Sequence, residues 1–113
     1  MPETLGDRIR KRRAALGLTL REAAKRMNKS ATILSRLEGN RERTPLKEET
    51  IRKLAEVLED DFDTLMLLAG KVPQDVVTVM KDDPKLPEFL RRIGRENLSA
   101  DQLTGMLPKK GKT

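Results

Sequence analysis

Apolar residues recur along this chain at spacings of three and four, and nowhere alternate with polar ones as a half-buried strand requires. The first stripe is Leu5, Ile9, Arg13 and Leu16, with Thr4 as a cap and Gly17 as a stop; Arg8, Arg10, Lys11 and Arg12 fall off it. A second helix is predicted from Leu20, Ala23, Ala24 and Met27. Thr19 caps it, and Glu22 three residues on completes a capping-box pattern. Asn28 tolerates the left-handed conformation that ends a helix, and Ser30 then supplies the N-cap of a third. Leu34 and Leu37 form the buried side of that third helix, and Gly39 and Asn40 end it. Beyond the polar loop closed by Pro45, a helix over about 47–58 buries Ile51, Leu54, Ala55 and Leu58. A fifth, over 62–69, starts after Asp61 and turns Leu65 and Leu68 inward.

The compact domain is expected to end near residue 70, and 71–107 reads as a helical extension. Pro73 suits the first turn of a helix reaching about Lys81, apolar on more than one side through Val76, Val77, Val79 and Met80. Asp82-Asp83-Pro84 stops it. Leu86, Phe89, Leu90 and Ile93 give a further amphipathic helix to about Gly94, and Ser99 with Gln102 caps a last one whose face carries Leu103, Met106 and Leu107. The basic segment 108–113 is expected to be disordered. The predicted fold class is therefore all-α: a five-helix domain, 1–70, with a short helical C-terminal extension.

Composition narrows the function classes. No cysteine or histidine is present among the 113 residues, which removes disulfides, zinc-finger sites and histidine acid–base chemistry. No metal or cofactor is expected. The pairs Asp60-Asp61 and Asp82-Asp83 sit at helix boundaries, as caps and stops do, and no glycine-rich phosphate loop occurs, so the chain is expected not to be an enzyme. No apolar run is long enough to cross a bilayer and the N-terminus lacks a signal-peptide pattern, so the expected location is the cytoplasm. The net charge of +6 is uneven: residues 1–45 hold 12 Lys and Arg against 5 Asp and Glu, residues 46–113 hold 12 against 13. A localised positive half suits a polyanion through counterion release, though a solvated surface would also account for it.

The stretch 19–38 supplies what charge alone lacks. Two short helices joined by a tight turn form a helix-turn-helix, whose second helix enters the DNA major groove. Opposite Leu34 and Leu37, that second helix shows Ala31, Thr32, Ser35 and Arg36, small or hydrogen-bonding residues suited to a polar surface at close range. Single-stranded RNA binding lacks the aromatic platform it uses, since Phe62 and Phe89 are the only aromatics.

From Leu16-Gly17-Leu18-Thr19-Leu20-Arg21-Glu22-Ala23-Ala24 to Leu37-Glu38 the chain resembles the Cro and phage-repressor type helix-turn-helix, the xenobiotic-response-element family, over roughly residues 4–70. The resemblance implies a transcriptional regulator that binds operator DNA as a dimer. Carried over by position, it implies base contacts from Ala31, Thr32, Ser35 and Arg36, and phosphate contacts from Thr19, Arg21, Ser30, Asn40, Arg41 and Arg43. It also implies a structural ion pair between Arg13 and Glu38. Leu20 departs from the family pattern at a position that is often polar, as Asn28 does at the usual turn glycine and Lys47 at the usual Ser or Thr cap. Gly39-Asn40 reverses the common order of those two residues.

The apolar residues Val76, Val77, Val79, Met80, Phe89, Leu90 and Ile93 exceed what one small core needs, and are expected to form a dimer or partner surface; padding of the five-helix domain is the other use open to them. Expected partners are therefore double-stranded DNA, a second copy of the chain, and a protein at the C-terminal helices if the chain acts as an antitoxin-like module instead.

Overall fold

A computed structural model describes residues 3–108 and is helical throughout, without a strand among the described residues. The chain divides into two compact units, Met1–Pro73 and Gln74–Thr113. The basic segment expected to be disordered lies, after Pro108, outside the described residues.

The first unit holds five helices: α1 (Leu5–Ala15), α2 (Leu20–Met27), α3 (Ala31–Glu38), α4 (Glu48–Leu58) and α5 (Phe62–Leu68). Their starts follow from local chemistry. Thr4, Thr19, Ser30 and Asp61 each accept a hydrogen bond from a backbone N–H in the first turn of their helix, satisfying donors that have no intrahelical partner. Asp7 joins Thr4 in a reciprocal capping box, as Glu22 does with Thr19. These bonds hold both carboxyls below their usual range. Lys47 precedes α4 without a side-chain cap.

Ile9, Leu34, Ile51, Leu54, Leu58, Leu65 and Met66 are fully buried and make the centre of one core, with Ala23, Ala24 and Met27 completing the α2 face. Two details differ from the periodicity. Met66 rather than Leu68 joins Leu65 inside, and Leu18, in the α1–α2 turn, is buried as well. Gly17 makes that turn at φ +68°, a conformation costly for side-chain-bearing residues.

Polar ties cross the core edge. Arg8 grips Asp60 with two bonds of 2.7 Å, and this guanidinium holds the Asp60 carboxyl below its usual range. Arg12 donates to the carbonyl oxygens of Leu58 and Glu59, which end α4 and lack intrahelical donors. Much of the basic character of α1 is thus spent on internal contacts rather than on a polyanion, so the positive half of the sequence overstates the positive surface. At the other end of α1, Gly6 meets the end of α3. A Cβ there would stand 2.5 Å from the Glu38 carbonyl oxygen and 2.6 Å from that of Leu37.

The second unit holds α6 (Gln74–Asp82), α7 (Leu86–Arg95) and α8 (Ala100–Thr104). Ser99 and Gln102 form the capping box at α8. That helix stops at Thr104, so Met106 and Leu107 lie beyond it instead of on its face. Among the described residues no helix is long and apolar enough to cross a membrane.

Candidate nucleic-acid interface

The turn between α2 and α3 is built from Asn28, at φ 59°, and the next residue, whose N–H donates back to the Ala24 carbonyl at 2.9 Å. A left-handed residue followed by this return bond satisfies the last carbonyls of α2 and turns the chain sharply. Ala23 and Ala24 are small enough for α3 to cross α2 closely, while Leu34 and Leu37 lock it to the core. The face left outward carries Thr32 and Arg36 exposed, with Ala31 and Ser35 half-buried.

All four of these residues, together with Leu20 and Arg41, line one open cleft of about 460 Å³. The expected base-contact set is therefore contiguous in space. The expected phosphate set is not. Thr19 sits exposed at the start of α2 with its hydroxyl accepting from the Glu22 N–H at 3.1 Å. Arg21 and Ser30 border a neighbouring depression shared with Lys25 and Lys29. Arg41 lines the first cleft, whereas Arg43 lines a separate depression beside Thr4, Leu5 and Asn40.

Asn40 has a structural task at the end of α3. The side chain, expected to hold a phosphate, clamps the start of α1: Oδ1 accepts from the Gly6 N–H at 3.1 Å and Nδ2 donates to Thr4 Oγ1 at 3.0 Å. Its own backbone N–H donates to the Leu37 carbonyl. At φ 56° it occupies the left-handed position after the helix end, which Asn tolerates, so Gly39-Asn40 keeps the turn its reversed order put in question.

Arg13 and Glu38 meet as a two-pronged pair, Nε donating to Oε2 at 2.6 Å and Nη2 to Oε1 at 2.9 Å. Glu38 is buried, and the pair raises the Arg13 guanidinium above its usual value. Arg13 also donates to the Leu18 carbonyl, and Arg10 to that of Glu38. These bonds tie the end of α3 to α1 and to the turn that follows it.

Lys25 and Lys29 were not singled out by sequence, yet they stand beside Arg21 and Ser30. The signal that finds them is helical: Lys25 is one turn beyond Arg21, on the same side of α2. Among the described residues, none of Arg21, Lys25, Lys29, Arg36 or Arg41 holds an ion pair, so this cationic face is available to an anionic ligand.

Of the C-terminal apolar set, Val76, Val79, Phe89 and Leu90 are exposed and Val77, Met80 and Ile93 half-buried. No residue of the second unit is fully buried among those described. The buried core and the apolar side chains packed against it run from Leu5 to Ala69 among the described residues.

A family model described as a helix-turn-helix domain matches residues 4–64, more than half of the chain. A solved complex of SinR protein with SinI protein contains a chain 22% identical to this one, at a TM-score of 0.50, with 90% of this chain and 89% of that one covered. At that identity the likeness speaks for the all-helical fold. No curated protein matches the sequence. By the family match, and with α2, α3 and the turn between them arranged as described, the chain belongs to the helix-turn-helix domain family of DNA-binding transcription regulators.

Proposed function

We propose that the protein is a sequence-specific, double-stranded DNA-binding repressor that acts as a dimer on a near-palindromic operator, in the manner of Cro and the phage repressors. The observation that carries this reading is the single cleft in which Ala31, Thr32, Ser35 and Arg36 come together on the outward face of α3. With α3 in the major groove, Arg36 suits guanine O6 and N7, Thr32 either donor or acceptor edges, and Ala31 the thymine methyl. Arg21, Lys25, Lys29 and Arg43, with the helix starts at Thr19 and Ser30, hold phosphates and fix register. Affinity then falls steeply with salt, because few side chains read bases and many cations displace counterions. No catalysis enters this reading.

Dimerisation is assigned to the second unit, where Val76, Val79, Phe89 and Leu90 are exposed on helices that hold no fully buried residue among those described. Two copies would present their α3 helices about 34 Å apart, one DNA turn. A second reading rests on the same side chains: they take a different protein, and DNA binding serves to regulate that pair's own production. The solved relative is itself a complex of two named proteins, which favours keeping this reading beside the first.

In vitro selection from a randomised duplex library, with the mass of the bound species measured, tests the proposal. A palindromic consensus bound by two copies is expected; enrichment of no sequence would overturn it. Within that assay Arg36→Ala should relax preference at one base pair by roughly 1–3 kcal/mol, and Arg43→Ala should weaken binding to all sequences alike.

A further inference from the structure

Building on the DNA-binding reading above, we infer that Arg41 is a second base-reading residue, laid beside Arg36 by the absence of a side chain at Gly39. The two arginines together would favour adjacent guanines. Arg41 and Arg43 occupy one short loop but go to different places: Arg41 lines the cleft with Thr32, Ser35 and Arg36, and Arg43 does not. A Cβ on Gly39 would stand 2.9 Å from Arg41 Nε and 3.5 Å from its Cζ. The guanidinium therefore crosses directly over Gly39, at the end of the reading helix. Gly39 itself has φ −89° and ψ 4°, where any residue fits, so its backbone does not call for glycine. A side chain there would displace the Arg41 guanidinium from where it rests.

The chain around it is held firmly. The Arg41 N–H donates to the Arg36 carbonyl at 2.8 Å, which fixes the start of the Arg41 side chain to the last turn of α3. Asn40, left-handed and clamped through its side chain to Gly6 and Thr4, keeps the turn from opening. A cation is also favoured at this end of the helix by its dipole. The cleft then holds two guanidinium groups and no carboxylate among its lining residues. Two forked donors facing one volume suit an edge dense in acceptors. In the major groove guanine provides that edge, with O6 and N7 taking an arginine two-pronged.

The test separates a fork from a point charge. Sequence selection is run on the full chain and on Arg36→Ala, Arg41→Lys and Gly39→Ala, with thermal midpoints measured for each. Lysine keeps the charge but loses the fork; alanine at 39 keeps Arg41 but takes its resting place. Both are expected to lower the ratio of specific to random-duplex affinity about tenfold, by flattening preference at a base pair next to the one lost in Arg36→Ala. If Arg41→Lys retains the preference, Arg41 is a phosphate contact and the inference falls. A flattened profile for Arg41→Lys with an unchanged one for a folded Gly39→Ala overturns the role of Gly39. If the unaltered protein enriches no sequence, the DNA-binding reading fails with it.

Discussion

The two units use the same local grammar and reach different ends. Both contain capped, amphipathic helices: Thr4, Thr19 and Ser99 each head a reciprocal capping box. In the first unit the apolar faces of five helices close on Ile9, Leu34, Ile51, Leu54 and Leu65, and charged side chains reach far along the chain to Asp60 and Glu38. In the second, Phe89 and Leu90 remain about half exposed, at 51% and 44%, and the ion pairs Arg91–Glu88, Arg92–Glu96 and Arg95–Glu88 run along one helix. Amphipathic periodicity makes a helix in either setting, but only tertiary burial makes it stable, because local pairs each contribute tenths of a kcal/mol. The well-tied unit carries the face proposed to read DNA, where a side chain must be held to a fraction of an ångström. The second carries apolar surface with no core of its own.

The strongest test of that contrast substitutes one large apolar residue in each unit. Leu54→Ala should cost about 2–5 kcal/mol in thermal or denaturant unfolding, since its site is fully enclosed. Phe89→Ala should cost only about 1 kcal/mol in dilute solution, because just half of the side chain leaves water. If the second unit dimerises as proposed, the Phe89→Ala cost grows with protein concentration, and sedimentation shows a weakened dimer. A large, concentration-independent loss would mean that Phe89 belongs to an intramolecular core.

Next in size is Gly6→Ala, expected at about 1–3 kcal/mol, from an overpacked contact that backbone rather than side chains must relieve. Gly6 also marks how far the sequence could be read. The caps at Thr4, Thr19, Ser30 and Asp61 and the turn at Asn28 were legible because a cap is decided within three or four residues. The cleft was legible in part, since Ala31, Thr32, Ser35 and Arg36 follow from one helix's periodicity once Leu34 and Leu37 are buried. Gly6, the Asn40 clamp and the Arg8–Asp60 and Arg12–Leu58 ties were not, since each depends on which distant residue arrives opposite. That Arg41 lines one cleft with Arg36 was not legible either: its setting depends on Gly39 and the loop's path, which charge and spacing do not encode.

Acid should act on the first unit through Asp60. Its carboxyl titrates below the ordinary 3.8 in the folded chain because Arg8 grips the charged form. A depressed folded value gives stability that is present above the unfolded value and lost as pH falls through the folded one. Stability of the unaltered chain should therefore decline below about pH 4, with Asp7, Glu22 and Asp61 adding to the same slope. Asp60→Asn should start about 1 kcal/mol lower near neutrality and show a shallower acid slope, read by denaturant midpoints across pH. An unchanged slope would place the acid response in the capping carboxyls alone.

The smallest effect is the sharpest comparison, because it places the same substitution in the same motif on both sides. Thr19→Ala removes the acceptor for the Glu22 N–H, and Ser99→Ala the acceptor for the Gln102 N–H, each a bond of 3.1 Å. Taken alone the two caps are equivalent. Thr19→Ala should lower the main unfolding transition by about 1 kcal/mol, since α2 must form for Ala23, Ala24 and Met27 to be buried. Ser99→Ala should leave that transition where it is and instead raise amide exchange at Leu103, whose N–H donates to the Ser99 carbonyl across the first turn of α8. Equal shifts in the main transition would mean that α8 unfolds together with the helix-turn-helix core. The helices of the second unit would then draw on the same cooperative stability as α2, and the division between a tied unit and an unburied one would fail.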